Sequence, residues 1–297
     1  MNRWWIYQKE RFPIFAHGTL IAAFSACAVA YSSLLGSAPT PSWQAYLTAF
    51  IICFLMFLQL RIADEFKDKE EDARWRPYRA VPRGLVKLSE LRVLFIIAAI
   101  VQAVVATLLD PRLLFVLAIA WSYLALMSVE FFCRDWLKNR PVIYLISHMG
   151  IMPLVDYFGT SCEWLPRGSN TPVGLGWFLA ASFFNGIVIE FGRKLRLPQD
   201  EEEGVDTYSQ LWGIKRATLL WLAAMTATMT CAAIAAAGIG FAIPLVSTLG
   251  VLLMVSSALA FRFSRQHIHG KKIEAITGVW TLVLYLMLGL VPLFLHS

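Results

Sequence analysis

Apolar residues in this chain come in long blocks separated by short polar ones. The blocks fall near 14–36, 43–63, 92–109, 113–132, 141–159, 173–192, 216–238, 241–262 and 273–295. An apolar helix of about 20 residues, rising about 1.5 Å per residue, crosses the hydrocarbon core of a bilayer. The pattern therefore predicts an all-α membrane protein with nine transmembrane helices in a single domain over residues 1–297. The first block follows the polar start MNRWWIYQKERFP and exceeds the length of a signal-peptide core, so it is expected to remain as a span.

Composition agrees. The 297 residues are 58% hydrophobic and 15% charged, against roughly 25% charged in a soluble domain. Nine spans place the termini on opposite sides. With the N-terminus inside, 24 of the 26 Lys and Arg residues fall in cytoplasmic segments and only Arg112 and Arg167 fall outside. The positive-inside rule expects this asymmetry. The net charge of +6 then reflects topology, and no nucleic-acid partner is implied. The expected setting is a lipid bilayer, a bacterial inner membrane, with the C-terminus on the side opposite the cytoplasm. The five cysteines show no metal-ligand spacing and are expected to act as small buried hydrophobes. Trp4, Trp5, Trp43, Trp136, Trp164 and Trp177 lie near span ends, where interfacial aromatics anchor helices.

Polar chemistry concentrates in two cytoplasmic loops, near 61–92 and 190–216. In the first, RIADEFKDKEEDARWRPYRAVPRG, Asp64, Asp68 and Asp72 are spaced by four. Residues four apart share a helix face. Carboxylates crowded on one face repel unless a cation sits among them, and Mg²⁺ is commonly held by one or two carboxylates plus substrate phosphates. Arg74, Arg76, Arg79 and Arg83 follow, with the fork geometry that suits a diphosphate. A solvated, charge-mixed loop is the plainer reading, since Lys67 and Lys69 offset part of the acid. The second loop, EFGRKLRLPQDEEEGVDTYSQLWG, also starts where a span ends and also mixes acids with bases. Two such loops on one side suit clamping of a metal–phosphate group.

On these residues the sequence resembles the UbiA superfamily of intramembrane prenyltransferases. The run DEFKDKEED (64–72) fits the spacing of that family's N-D-x-x-D-x-x-x-D motif, with Asp64 for Asn and Glu65 for Asp. Arg79, Pro82 and Gly84 fall in the downstream pattern, and Asp200, Gly204, Thr207 and Gly213 match the second signature. The resemblance implies a UbiA-like helix bundle around a central cavity. It further implies Mg²⁺-dependent transfer of a prenyl group from an isoprenoid diphosphate donor to an acceptor in the membrane. Asp64, Asp68, Asp72 and Asp200 are then catalytic, with Asp64, Glu65, Asp68, Asp72, Glu190 and Asp200 as metal ligands. Arg74, Arg79, Arg83, Arg193, Lys194 and Arg196 would bind the diphosphate. Arg196 stands where the family carries an aspartate. Three readings follow: Glu190 and Asp200 hold a second Mg²⁺, Arg193, Lys194 and Arg196 replace that ion, or catalysis is altered.

Other polar residues carry alternatives. Glu130, Arg134, Asp135 and Lys138 form a local salt-bridge set or help to bind diphosphate. His148, inside the fifth span, is a functional candidate set against an ordinary hydrogen-bonded histidine. Asp156 is expected near the outer interface. Trp121, Tyr123 and Tyr144 are packing residues, or aromatic faces for a carbocation. His267 and His269 have no third metal ligand. Glu201–Glu203 reads as a solvated face. A UbiA-like terpene cyclase and a non-enzymatic transporter or scaffold are the rival functions.

Overall fold

The computed structural model describes residues 2–296. Every regular element among them is helical, as lipid demands of a chain that must satisfy its backbone internally. A short helix α1 (Arg3–Arg11) starts at Asn2, whose side chain accepts the Trp4 amide at 3.0 Å. There follow α2 (Ile14–Leu35), α3 (Trp43–Lys67), α4 (Lys69–Trp75), α5 (Leu88–Leu109) and α6 (Leu113–Ser128). After α7 (Arg134–Lys138), α8 (Pro141–Met149) and α9 (Ile151–Trp164) form one span bent at Gly150. The chain closes with α10 (Leu175–Lys194), α11 (Tyr208–Trp212), α12 (Ile214–Ala237), α13 (Ala242–Ser264), α14 (Gly270–Leu288) and α15 (Leu290–His296).

Eight helices among the described residues are long and apolar enough to cross a membrane. The remaining apolar block, near 113–132, is α6, only 16 residues long, or roughly 24 Å against a core of about 30 Å. The expected nine spans are reached only with this short member included. It stops early because Glu130, Phe131 and Phe132 take φ values of 52°, 51° and 59°. No helix continues through left-handed backbone.

Helices α2, α9, α10, α12 and α14 supply the interior, while α5 and α13 bear exposed Val, Ile, Leu and Met side chains suited to lipid. Small residues set the close approaches, as expected where lipid gives helices no hydrophobic drive to associate. Gly159 of α9 meets Ala28 of α2 so closely that a Cβ would touch the alanine methyl at 3.2 Å. Because α9 runs on to Trp164, two expectations are corrected. Trp164 is buried, not an interfacial anchor, and Asp156 lies two turns inside the helix end, 1% exposed. Tyr285 Oη donates to Asp156 Oδ2 at 2.7 Å. The tryptophans Trp5, Trp43, Trp136 and Trp177 are exposed, as anchors should be, and all five cysteines are free thiols.

Candidate active site

The two polar loops meet at the basic end of the bundle. Tyr78 Oη donates to Glu202 Oε2 at 3.0 Å, and the Trp75 ring lies against Gly204. Gly204 has φ +72° and no room for a Cβ, so only glycine fits there. Thr207 accepts the Gln210 amide at 3.2 Å and so starts α11. Two members of the second motif thus shape the loop rather than offer ligands.

The acidic residues of the first motif divide into two groups. The helix continues almost unbroken through them, with the Asp68 amide bonded to Asp64 O at 2.9 Å and the Asp72 amide to Asp68 O at 2.8 Å. Their side chains nevertheless face different surroundings. Asp72, 2% exposed, accepts from Arg76 at 2.7 Å and from Arg79 at 2.9 and 2.8 Å, with Arg11 at 3.9 Å. Glu65 is buried and pairs with Arg11 Nε. Burial pulls the Arg11 guanidinium down, but Glu65 and Asp72 outweigh it and leave the group raised. Both acids are thus committed to arginines.

Asp64 and Asp68 remain more open. Asp64 has only long contacts, 3.4 Å to Arg61 and 3.8 Å to Lys67. Among the described residues no side chain hydrogen-bonds the Asp68 carboxylate. Burial first, then the like charges of Asp64, Asp72 and Glu71, push its carboxyl above the ordinary range, against Lys67. A carboxylate so placed calls for a cation.

Arg193 brings the second loop to this pair, within electrostatic reach of Asp64. Glu190 is saturated by Arg193 at 2.6 Å and Lys194 at 3.0 Å. Arg196 contacts the Asp200 carbonyl at 3.3 Å and Glu202 at 3.4 Å. Asp200 faces His269 at 3.3 Å. Of the expected diphosphate ligands, Arg74 lies over the Trp75 ring and Arg83 is tied to Glu10 at 2.8 Å, both exposed. Arg134 and Lys138 reach across to Glu71. Glu201 is no solvated face residue, since Thr207 Oγ1 donates to it at 2.5 Å.

A family model described as the UbiA prenyltransferase family matches residues 22–275. The chain belongs to this family. Its fold is similar to the apo structure of a UbiA homolog from Aeropyrum pernix K1, with a TM-score of 0.68 at 13% identity over 89% of this chain and 94% of that one. At that identity the likeness concerns the fold. No curated protein matches the sequence.

Several residues of this UbiA-family site escape motif reasoning. Lys67 Nζ donates to Tyr144 Oη at 2.9 Å and stands 3.8 Å from both Asp64 and Glu130. Glu130 is buried, projected inward by the left-handed turn that ends α6, and its Oε2 has no partner. Three consecutive non-glycine residues at positive φ cost on the order of 1–2 kcal/mol each, so packing and the Lys67 pair must hold them. Tyr208 is buried beside Lys194, whose Nζ is 5.6 Å from the ring centre. Burial and then Glu190 raise its phenol. Tyr144 and His148, four apart on α8, stack at 3.9 Å, a spacing visible in the sequence. Arg11 gave no such signal, being one base in a short polar segment.

No group of three or more His, Cys, Asp or Glu residues among the described ones is arranged as a metal cage. The open carboxylates Asp64 and Asp68 do fit a Mg²⁺ that takes its remaining oxygens from a diphosphate and water. Glu65, Asp72 and Glu190, each held by cations, do not fit as additional ligands.

Proposed function

We propose that the protein catalyses Mg²⁺-dependent transfer of a prenyl group from an isoprenoid diphosphate to an acceptor within the membrane. Supporting this is the contrast within one motif: among the described residues Asp68 has no side-chain partner and Asp64 only long contacts to Arg61 and Lys67, while Arg193 lies within electrostatic reach of Asp64. Asp64 and Asp68 would hold Mg²⁺, which supplies positive charge to the departing pyrophosphate. Arg193, Lys194 and Arg196 stand on the second loop where another cation would act, and Arg76 and Arg79, oriented by Asp72, present their remaining N–H groups. Such fixed donors stabilise charge as the allylic carbon–oxygen bond breaks. The isoprenoid tail then lies among apolar helices, and an acceptor nucleophile attacks the cation. The basic end is assigned to the cytoplasm by its Lys and Arg.

The test is release of pyrophosphate from geranylgeranyl diphosphate by the purified protein. Release that needs Mg²⁺ and is lost in Asp68→Ala is expected. Release that survives in Asp68→Ala, or needs no divalent ion, refutes the assignment. Arg196→Glu should weaken binding of the diphosphate at low Mg²⁺; unchanged affinity would exclude that basic residue from the site.

A further inference from the structure

We infer that His148 is the general base of this reaction, taking the proton that is lost when the prenyl cation is captured. The inference rests on the transfer reading above. His148 is 7% exposed, on α8 one turn beyond Tyr144. Its Nδ1 lies 2.9 Å from the Tyr144 carbonyl oxygen. A carbonyl can only accept, so Nδ1 carries the proton and Nε2 carries the lone pair. That nitrogen is fully buried and has no hydrogen-bond partner. Leaving a polar atom unpaired inside a membrane protein is costly, and an incoming X–H group would satisfy it.

The ring is also well placed. It stacks on Tyr144, whose hydroxyl is held by Lys67 at 2.9 Å, and Phe131 meets it edge-on at 6.0 Å. Asp64, from the first loop, and Glu190, from the second, both lie within its electrostatic reach, as does Lys67. Lys67, bonded to the Tyr144 hydroxyl and 3.8 Å from Asp64, links the ring to the acidic motif where the diphosphate would be gripped, and the histidine is fixed in tautomer and orientation by two neighbours of its own helix. The Ser147 hydroxyl, 3.3 Å from Nδ1, is on the opposite nitrogen and leaves Nε2 free.

The step balances. The allylic C–O bond breaks and its electron pair leaves with the diphosphate. The acceptor X–H donates an electron pair to the allylic cation, forming X–C. The X–H proton moves to His148 Nε2, giving an imidazolium that later releases it. If the cation instead loses its own proton to form a diene, the same nitrogen receives it. Capture by water also releases a proton, but neighbouring solvent takes it directly, so the prenyl alcohol is the product expected when the positioned base is missing. The acceptor class is therefore a molecule other than water whose nucleophilic atom bears a proton, such as a phenol, an activated aromatic C–H or an alcohol.

The experiment uses the purified full chain with geranylgeranyl diphosphate, Mg²⁺ and a mixture of 4-hydroxybenzoate, 1,4-dihydroxy-2-naphthoate, homogentisate and glycerol phosphate. The readout is proton-loss product, meaning prenylated acceptor plus diene, per pyrophosphate released. In wild type these products dominate. In His148→Ala and His148→Gln the ratio should fall at least about 100-fold, the usual range for a general base, with geranylgeraniol taking their place. Added imidazole should restore the ratio in His148→Ala as its neutral fraction rises with pH. A wild-type ratio in both variants overturns the role of His148 alone. Wild-type turnover that yields only geranylgeraniol also overturns it, because no base is then in use. Absence of pyrophosphate release from wild type removes the underlying transfer reading, and this inference with it.

Discussion

Asp68 and Asp72 sit one helical turn apart in the same motif, yet the structure assigns them opposite energetic signatures. Asp72 is buried and accepts charge-assisted hydrogen bonds from Arg76 and Arg79, with Arg11 at 3.9 Å. Its replacement by Ala strands these guanidinium groups without their common acceptor. Removing one partner of a buried ion pair costs about 3–5 kcal/mol. Asp68 has no donor to lose, and its charge is disfavoured by burial and by Asp64, Asp72 and Glu71. Its replacement by Ala should change stability by no more than about 1 kcal/mol, on the favourable side. Thermal unfolding in detergent, followed by circular dichroism, gives the comparison. Asp72→Ala should lower Tm by on the order of 10 °C, while Asp68→Ala should leave it level or slightly raised. Mg²⁺ with a non-hydrolysable prenyl diphosphate analogue should raise Tm in wild type and not in Asp68→Ala. Equal destabilisation by both variants, or a stable Asp72→Ala, would refute the division of the motif into a structural and a ligand half.

Gly204→Val adds a Cβ at φ +72° against the Trp75 ring, costing about 1–2 kcal/mol in backbone strain alone. It should part the loops and weaken Mg²⁺-dependent donor binding at least about tenfold with helicity intact; unchanged binding would show that the Trp75–Gly204 contact does not set the site. Lys67→Met leaves buried Glu130 without its cation and should destabilise by about 3 kcal/mol, with Lys67→Met/Glu130→Leu recovering much of the loss; a purely additive double-mutant cycle would argue against the pair. At the other end of the bundle, Glu163 accepts from Ser32 at 3.1 Å and pairs with Arg167. Glu163→Ala should cost about 1–3 kcal/mol and leave donor affinity as it is, whereas a loss of affinity would couple the two ends.

Hydrophobic blocks and basic asymmetry made the helices readable because lipid imposes length and polarity on every span. Their ends were harder. The third block begins four residues earlier than its apolar run because Glu90 caps the Lys87 amide at 2.9 Å, and α6 ends early through a left-handed turn that hydropathy does not register. Within the site, spacing identified Asp64, Asp68 and Asp72 as a set, but spacing reports the face of a helix and not what packs on it. The arginine that occupies Glu65 and approaches Asp72 comes from α1, more than 50 residues earlier. The partners of Lys67 likewise come from α8 and from the turn after α6. Such long-range pairings are fixed by helix packing, which one sequence does not display. His148 lay in between: an ionisable side chain inside a span was visible, whereas its free Nε2 needed the Tyr144 carbonyl to be seen.

The central claim is that Asp64 and Asp68, faced by the basic second loop, grip a prenyl diphosphate through Mg²⁺. Equilibrium binding of radiolabelled geranylgeranyl diphosphate to the purified protein tests it most directly. Saturable binding that requires Mg²⁺ and disappears in Asp68→Ala is the predicted result. No binding by demonstrably folded protein, or binding of equal strength without Mg²⁺ and in Asp68→Ala, would contradict it.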